Sequence, residues 1–330
     1  MDRILVTGGA GYIGSHCCQK LAETGFEPVV FDNLFTGRER FVRWGPLVEG
    51  DIRDREALAS ALLQWRPSAV IHFAALSLVG ESATQPGRYY DVNVGGTLQL
   101  LEAMRGADID SLVFSSTCAL YGEVEKVPID ETAPHQPVSP YGMTKRACEG
   151  MMDDFGRAHG LRSVRLRYFN AAGADPEAAI GEWHEPETHL IPLVLNAALG
   201  RRAELSIFGS DYPTPDGTAI RDYIHVHDLA DAHVAALRHL LEGGDTAALN
   251  LGTGQGASVA EVIRAVEAVT GRRVPVKQAP RRAGDPPALV ADPRRAETLL
   301  GWRAERDLTT IVEDAWRWHR KMVGFNDRGG

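Results

Sequence analysis

The chain has 330 residues, 44% of them hydrophobic and 24% charged, with a formal net charge of −9. A chain of this size and apolarity is expected to bury a large core as two packed lobes, and its acidic balance argues against a nucleic-acid surface while permitting a locally basic pocket. The four cysteines, Cys17, Cys18, Cys118 and Cys148, have no framework spacing, which predicts reduced thiols in a soluble cytoplasmic protein.

Met1-Asp2-Arg3 leads at once into a strand, Arg3 to Thr7, leaving no room for a signal peptide. A helix is expected from Ser15 to Thr24, ending at Gly25, then a second strand from Glu27 to Phe31 and a weak third from Leu47 to Glu49. Ala69 to Phe73 reads as a buried strand; the apolar stretch around it, Ala69 to Gly80, is too short to span a bilayer. A helix over Val92 to Arg105 follows, then a strand over Leu112 to Ser115, a helix over Tyr141 to His159 stopped by Gly160, and a sixth strand over Ser163 to Tyr168. Apolar strands separated by helices predict a doubly wound parallel α/β sheet of the Rossmann type. From Ala171 to Glu187 a loop rich in Gly, Pro, Glu and His begins a less regular region, interrupted at Gly209 to Thr218 and at Ala279 to Pro287. The expected division is residues 1–170 as a dinucleotide-binding domain and 171–330 as a smaller α/β substrate-binding domain, with the chain allowed to cross back to the first. The tail Asn326 to Gly330 is expected to fray.

Gly9-Ala10-Gly11-Tyr12-Ile13-Gly14 lies between the first strand and the first helix. Gly9 and Gly11 let the backbone approach a pyrophosphate at the positive helix end, and Gly14 permits close packing of helix on strand. Asp32 ends the second strand, placed to accept from a ribose 2′-hydroxyl and to repel a 2′-phosphate. That favours NAD over NADP, although Arg38 and Arg40 follow in the loop. Asp51 reads as an adenine contact or a solvated turn acid, Phe73-Ala74-Ala75 as a small-residue strand end under a cofactor, and Asn93 as a cofactor contact or an N-cap. Tyr141 and Lys145 are four apart on one helix and so share a face. An adjacent ammonium stabilises a phenolate, and lowering a phenol from about 10 by three units takes roughly 4 kcal/mol. Thr117, at the end of Ser115-Ser116-Thr117, is a hydroxyl able to relay the substrate proton.

With these residues in place the chain resembles the extended short-chain dehydrogenase/reductase family, and within it the UDP-glucose (UDP-galactose) 4-epimerases. The resemblance runs through Val6 to His16, Asp32-Asn33-Leu34, Glu49 to Arg53, His72 to Ala75, Val79 to Ser82 and Ser139-Pro140-Tyr141. It continues through Arg167 to Asn170, Arg221 to Val226 and Arg281-Arg282-Ala283-Gly284-Asp285. It implies Tyr141 as the base, Lys145 as its tuning group and Thr117 in place of a more frequent serine. It further implies that Gly8, Gly11, Tyr12, Ile13, Gly14, Asp32, Asn33, Asp51, Ile52, Phe73, Ala74, Ala75, Asn93, Ser115, Tyr141, Lys145 and Tyr168 hold NAD. Thr117, Phe169, Asn170, His189, Leu190, Phe208 and Tyr223 are implied to face the UDP-sugar, with Arg221, Arg282 and Asp285 on its diphosphate and ribose. Cys118-Ala119-Leu120 lacks the acid that dehydratases and decarboxylases carry after the relay hydroxyl. The implied reaction is therefore oxidation at C4, rotation of the 4-keto sugar and hydride return. Leu289, where relatives carry tyrosine or cysteine, leaves acceptance of N-acetyl sugars open, and Ser77 replaces a cofactor-side lysine.

The open alternatives are a 4-epimerase of another UDP-sugar (UDP-N-acetylglucosamine, UDP-arabinose/xylose or UDP-glucuronate), a net dehydrogenase, and a non-catalytic NAD-sensing protein. His225 and His227, at alternating strand positions, have no evident third ligand, so no metal is expected. Cys118 reads as a structural thiol, and Trp316-Arg317-Trp318-His319 as packing. Leu98, Leu101, Met151 and Phe155 offer apolar positions for a homodimer or for burial within one chain.

Overall fold

The computed structural model describes residues 1–124, 126–282 and 285–326. Its centre is a seven-stranded parallel sheet: β1 (Arg3–Thr7), β2 (Glu27–Asp32), β3 (Leu47–Glu49), β4 (Ala69–His72), β5 (Ser111–Thr117), β6 (Arg162–Tyr168) and a late strand, β11 (Ala247–Leu251). They are ordered β11-β6-β5-β4-β1-β2-β3. Strand residues alternate between two faces, and Ile4-Leu5-Val6 shows the result. Leu5 packs with Val70, Leu112 and Phe114 under α2 (Arg55–Trp65), α5 (Gly96–Gly106) and α6 (Pro140–His159). Ile4 and Val6 pack with Ile71, Val113 and Leu166 under α1 (Tyr12–Glu23) and α8 (Val226–Leu241). Each wholly buried Leu or Val on these faces contributes about 2 kcal/mol of transfer free energy. This two-sided burial is why the strands read as continuous apolar runs rather than alternating ones.

The connection order reverses between β1 and β4, which opens a crevice beyond their carboxyl ends. Two short helices, α3 (Val79–Thr84) and α4 (Pro86–Tyr89), precede a π-helical turn, Tyr90–Gly95, that runs into α5. The single helix expected over Val92 to Arg105 is therefore a π turn joined to a shorter α-helix, a distortion common beside functional sites. The first helix begins at Tyr12, three residues before the expected Ser15, because Gly11 takes the extended capping conformation.

Residue 171 does not begin a plain loop. β7 (Asn170–Ala172) pairs in parallel with β10 (Tyr223–His225). α7 (Leu190–Ala198), β8 (Leu205–Phe208), α9 (Val259–Thr270) and α11 (Leu308–Asn326) surround a further core of Ile191, Leu195, Val262, Val266 and Val312. β9 (Ile220–Arg221) lies between β12 (Ala257–Ser258) and β14 (Ala288–Leu289), β13 (Val276–Ala279) pairs with β8, and α10 (Arg294–Leu300) leads toward α11. Between these segments the chain crosses back: α8 covers the main sheet and β11 completes it beside β6. His227 lies in α8 rather than on a strand, and His225 accepts from its backbone N–H at 3.0 Å. Of the four apolar positions on α5 and α6, Leu101 is core and only Leu98 is plainly exposed. Ala283, Gly284 and the tail beyond Asn326 lie outside the described residues. Among the described residues no helix is long and apolar enough to cross a membrane.

Candidate active site

The crevice at the strand reversal is built from backbone first. Gly8 has φ +73°, and a Cβ there would sit 2.6 Å from the Ala74 nitrogen. A Cβ on Gly14 would lie 2.2 Å from the Gly8 carbonyl oxygen. No side chain and no first-turn acid caps α1 at Gly11, so its leading N–H groups offer an anion site. Asp32 ends β2, nearly buried, and accepts from the backbone N–H of Ala10 at 3.0 Å and of Leu34 at 2.9 Å. Burial pushes its carboxyl up, and these two donors oppose the shift. This is a cradle that any larger side chain would fill, with an acid at the position of a ribose diol. It fits a dinucleotide.

The other positions expected at the cofactor take distinct places. Asn33 donates to Asp51 at 3.0 Å, and Asp51 is gripped by Arg53 at 2.8 Å, which holds its carboxyl well below the usual range. Ile52 packs under Gly96, where a Cβ would lie 2.5 Å away. Ile13 packs against the sheet core, and Phe73 stacks on His233 at 4.6 Å, with Ala74 and Ala75 half-buried beyond it. Tyr12 donates its hydroxyl to the Gly173 carbonyl at 2.7 Å, bridging to the second lobe. Asn93 lies inside the π turn and is no N-cap: its amide bonds both the N–H and the C=O of Leu76 and the Thr144 hydroxyl. Arg38 turns away from Asp32 to pair with Glu185 at 3.1 Å and to stack on Trp183.

Tyr141 owes its place to a capped helix start. Ser139 accepts from the Gly142 N–H at 3.2 Å and Pro140 is the first helical residue, so α6 places Tyr141 second and brings Lys145 one turn later onto the same face. Tyr141 is half-buried, and loss of solvent around its hydroxyl pushes the phenol up to about 12; a hydrogen bond with Thr117 acts in the opposite direction. Lys145 donates to the Ser115 carbonyl at 2.7 Å and lies over the Phe114 ring at 4.6 Å. Burial brings its ammonium down to about 8. The protein's own groups thus favour a protonated phenol, with the Lys145 ammonium bonded to the Ser115 carbonyl of β5. Ser115 and Tyr168 hydroxyls meet at 2.5 Å, so β5 and β6 end in linked polar groups beside Thr117. Beneath them Arg167 clamps Glu149 through two nitrogens, at 3.0 and 2.5 Å, and Glu149 also accepts from Ser116 at 2.5 Å. Cys118 is pushed up to about 12 by burial, which leaves it a poor nucleophile.

A cavity of about 310 Å³ opens two residues beyond Tyr168. Asn170, His189, Leu190, Phe208, Arg221, Tyr223, Arg282 and Asp285 all line it. Arg221 forms an ion pair with Asp285, and Arg282 lies over the Phe208 ring at 4.0 Å. Thr117 and Phe169 do not line it: Thr117 stays with Tyr141, and Phe169 packs against the cluster of Leu120, Tyr121 and Ile129, as Leu289 does. His189 faces Glu182 at 2.8 Å and Glu187 at 3.1 Å; burial disfavours its charge, but the two carboxylates outweigh it and raise the imidazole to about 10. Reading the sequence missed the Glu149–Arg167 clamp, whose partners lie on different elements. It also missed Glu182, His184 and Glu187, although the alternation Glu-x-His-x-x-Glu-x-His in one loop was a visible signal.

Residues 4–252 match the model of the NAD dependent epimerase/dehydratase family. A UDP-glucose 4-epimerase of Rhizobium meliloti (strain 1021) is 56% identical over 320 residues, 97% of this chain and 98% of that protein. The crystal structure of UDP-glucose 4-epimerase from Brucella ovis in complex with NAD superposes with a TM-score of 0.95 at 52% identity, over 96% of this chain and 98% of that one. That of UDP-glucose 4-epimerase from Stenotrophomonas maltophila, with bound NAD and formylated UDP-arabinopyranose, gives 0.96 at 43% identity, over 98% and 100%.

Proposed function

The chain belongs to the NAD dependent epimerase/dehydratase family, and from that premise we infer that it is an NAD-dependent isomerase interconverting UDP-glucose and UDP-galactose. The observation that carries this reading is the junction of the Thr117–Tyr141–Lys145 cluster, through Tyr168 and Phe169, with a cavity holding two arginines and an acid. NAD supplies the acceptor and donor of the C4 hydride. Asp32 holds the adenosine ribose and the turn Gly8 to Gly14 holds the pyrophosphate. Tyr141 takes the C4 hydroxyl proton through Thr117 and returns it, with the α6 N-terminus favouring negative charge on its oxygen. Lys145 fixes the end of β5 against α6 and supplies the positive charge that the phenolate requires. Arg221 and Arg282 grip the diphosphate by charge-assisted hydrogen bonds, providing the pivot about which the sugar presents its second face. Asp285 pairs with Arg221 when no diphosphate competes and turns to the uridine ribose when one does.

The same reading assigns residues 1–170, together with the returning α8 and β11, to the cofactor and the rest to the sugar nucleotide. It places the protein in the cytoplasm as a homodimer, with Leu98 and the half-buried Met151 and Phe155 at the contact. Incubating the purified chain with each UDP-sugar and no added reductant tests the assignment. UDP-glucose and UDP-galactose should reach a common equilibrium mixture from either side without accumulating NADH. Failure to form any 4-epimer overturns it.

A further inference from the structure

The loop between β7 and α7 brings two carboxylates and two imidazoles to one point. Among the described residues, Glu182, His184, Glu187 and His189 offer ligand atoms that all lie within 4.8 Å of one another. His189 Nδ1 is 2.8 Å from Glu182 Oε1 and 3.1 Å from Glu187 Oε1; His184 Nδ1 is 3.3 Å from Glu182 Oε1 and 3.8 Å from Glu187 Oε2. Four nitrogen and oxygen ligands placed tetrahedrally about 2.0–2.1 Å from a zinc ion are separated from one another by about 3.3 Å. The histidine–carboxylate separations, taken to both oxygens of Glu187, run from 2.8 to 3.8 Å around that value, inside the 4.8 Å span of the cluster.

We propose that Glu182, His184, Glu187 and His189 form a closed four-ligand site for a divalent zinc-class ion at the edge of the sugar-nucleotide cavity. The donor set, two imidazoles and two carboxylates, suits a borderline cation, and the two carboxylates balance its charge. His184 Nδ1 is solvent-inaccessible and its polar neighbours are the carboxylates of Glu182 and Glu187, acceptors only, so a cation shared among them satisfies all three groups. The surrounding contacts fix the ligands from outside. Glu187 Oε1 accepts from the backbone N–H of Thr188 at 2.7 Å and of His189 at 2.8 Å, and Trp318 donates to the Glu182 carbonyl at 2.8 Å. All four first-coordination positions come from the protein, so the ion holds structure rather than activating water. What it holds is the entry to α7. His189 is the N-cap residue and Leu190 the first helical residue, and both line the cavity. The ion therefore sets the rigidity of one wall of the sugar-nucleotide site.

The test uses the full-length protein stripped with chelator, re-equilibrated with zinc alone, gel-filtered and measured by elemental mass spectrometry and by thermal unfolding. Wild type should retain about one zinc per chain and melt higher with zinc than with EDTA. Loss of an outer-shell partner typically weakens metal binding 10–100-fold, so removing a direct ligand in His184→Gln should weaken it by about 100-fold or more and abolish the thermal shift. Glu187→Gln provides the same readout should the first variant not fold. Equal zinc retention and equal thermal shift in wild type and both variants overturns the site and assigns the metal to the free thiols or the surface; no retention by wild type also overturns it. Neither measurement depends on turnover, so failure here is distinct from failure of the epimerase assignment.

Discussion

Tyr141 carries one hydroxyl on which the whole reaction is proposed to turn. Replacing it with phenylalanine keeps the half-buried ring in place and removes only the oxygen that hydrogen-bonds Thr117. The expected loss is about 10²–10⁴-fold in kcat with KM little changed and the circular dichroism spectrum intact. Turnover near wild type would remove Tyr141 from the base role. The residue is placed rather than activated by its immediate neighbours: burial pushes the phenol up to about 12 while Lys145 bonds the Ser115 carbonyl. Asp32 illustrates the opposite economy. Its carboxylate accepts two backbone N–H groups at the end of β2, so the side chain proposed to meet the ribose also closes the β2 turn.

At the scale of elements, α6 is tied to the sheet by a polar clamp as well as by its apolar face. Glu149 on α6 meets Arg167 on β6 and Ser116 on β5, all nearly buried. Truncating one partner of a buried ion pair leaves the other charge without compensation, at a typical cost of about 3–5 kcal/mol. Glu149→Gln should accordingly lower the urea midpoint markedly and reduce kcat, because Ser116 precedes Thr117, the proposed relay hydroxyl, on the same strand. An unchanged midpoint would show that the clamp is dispensable. The π turn is held in the same manner: Asn93 spends its amide on Leu76 and Thr144, coupling the loop after β4 to α6. Asp222, from the Arg221-to-Val226 motif, is a staple of this kind too, accepting from Thr253, Gly254 and Ala291 while buried.

The molecule as a whole buries several neutral histidines. His72 is brought down to about 3, and His227 and His233 to about 4, in each case chiefly by burial. Their folded values lie below the unfolded value of about 6.5, so between pH 6.5 and 4 the unfolded chain binds more protons than the native one. Stability should fall as pH falls through that window, by about 1.4 kcal/mol per pH unit for each such histidine. Urea titrations at pH 7, 6 and 5 check the sign. A flat profile would mean that these rings take up protons in the native state.

By itself the sequence determined the periodic and local features: parallel strands as apolar runs, the glycine turn before α1, the helix from Tyr141 to its stop at Gly160, and thus Tyr141 and Lys145 on one face. Those rest on interactions within a few residues or on a repeating pattern of burial. The tertiary structure alone decided what depends on distant segments meeting. It returned α8 and β11 to the first sheet, made the start of one expected helix a π turn, turned Arg38 toward Glu185, and clamped Arg167 on Glu149. It also converged Glu182, His184, Glu187 and His189 on one point. Side-chain partners separated by many residues are fixed by packing of whole elements, which no local spacing encodes.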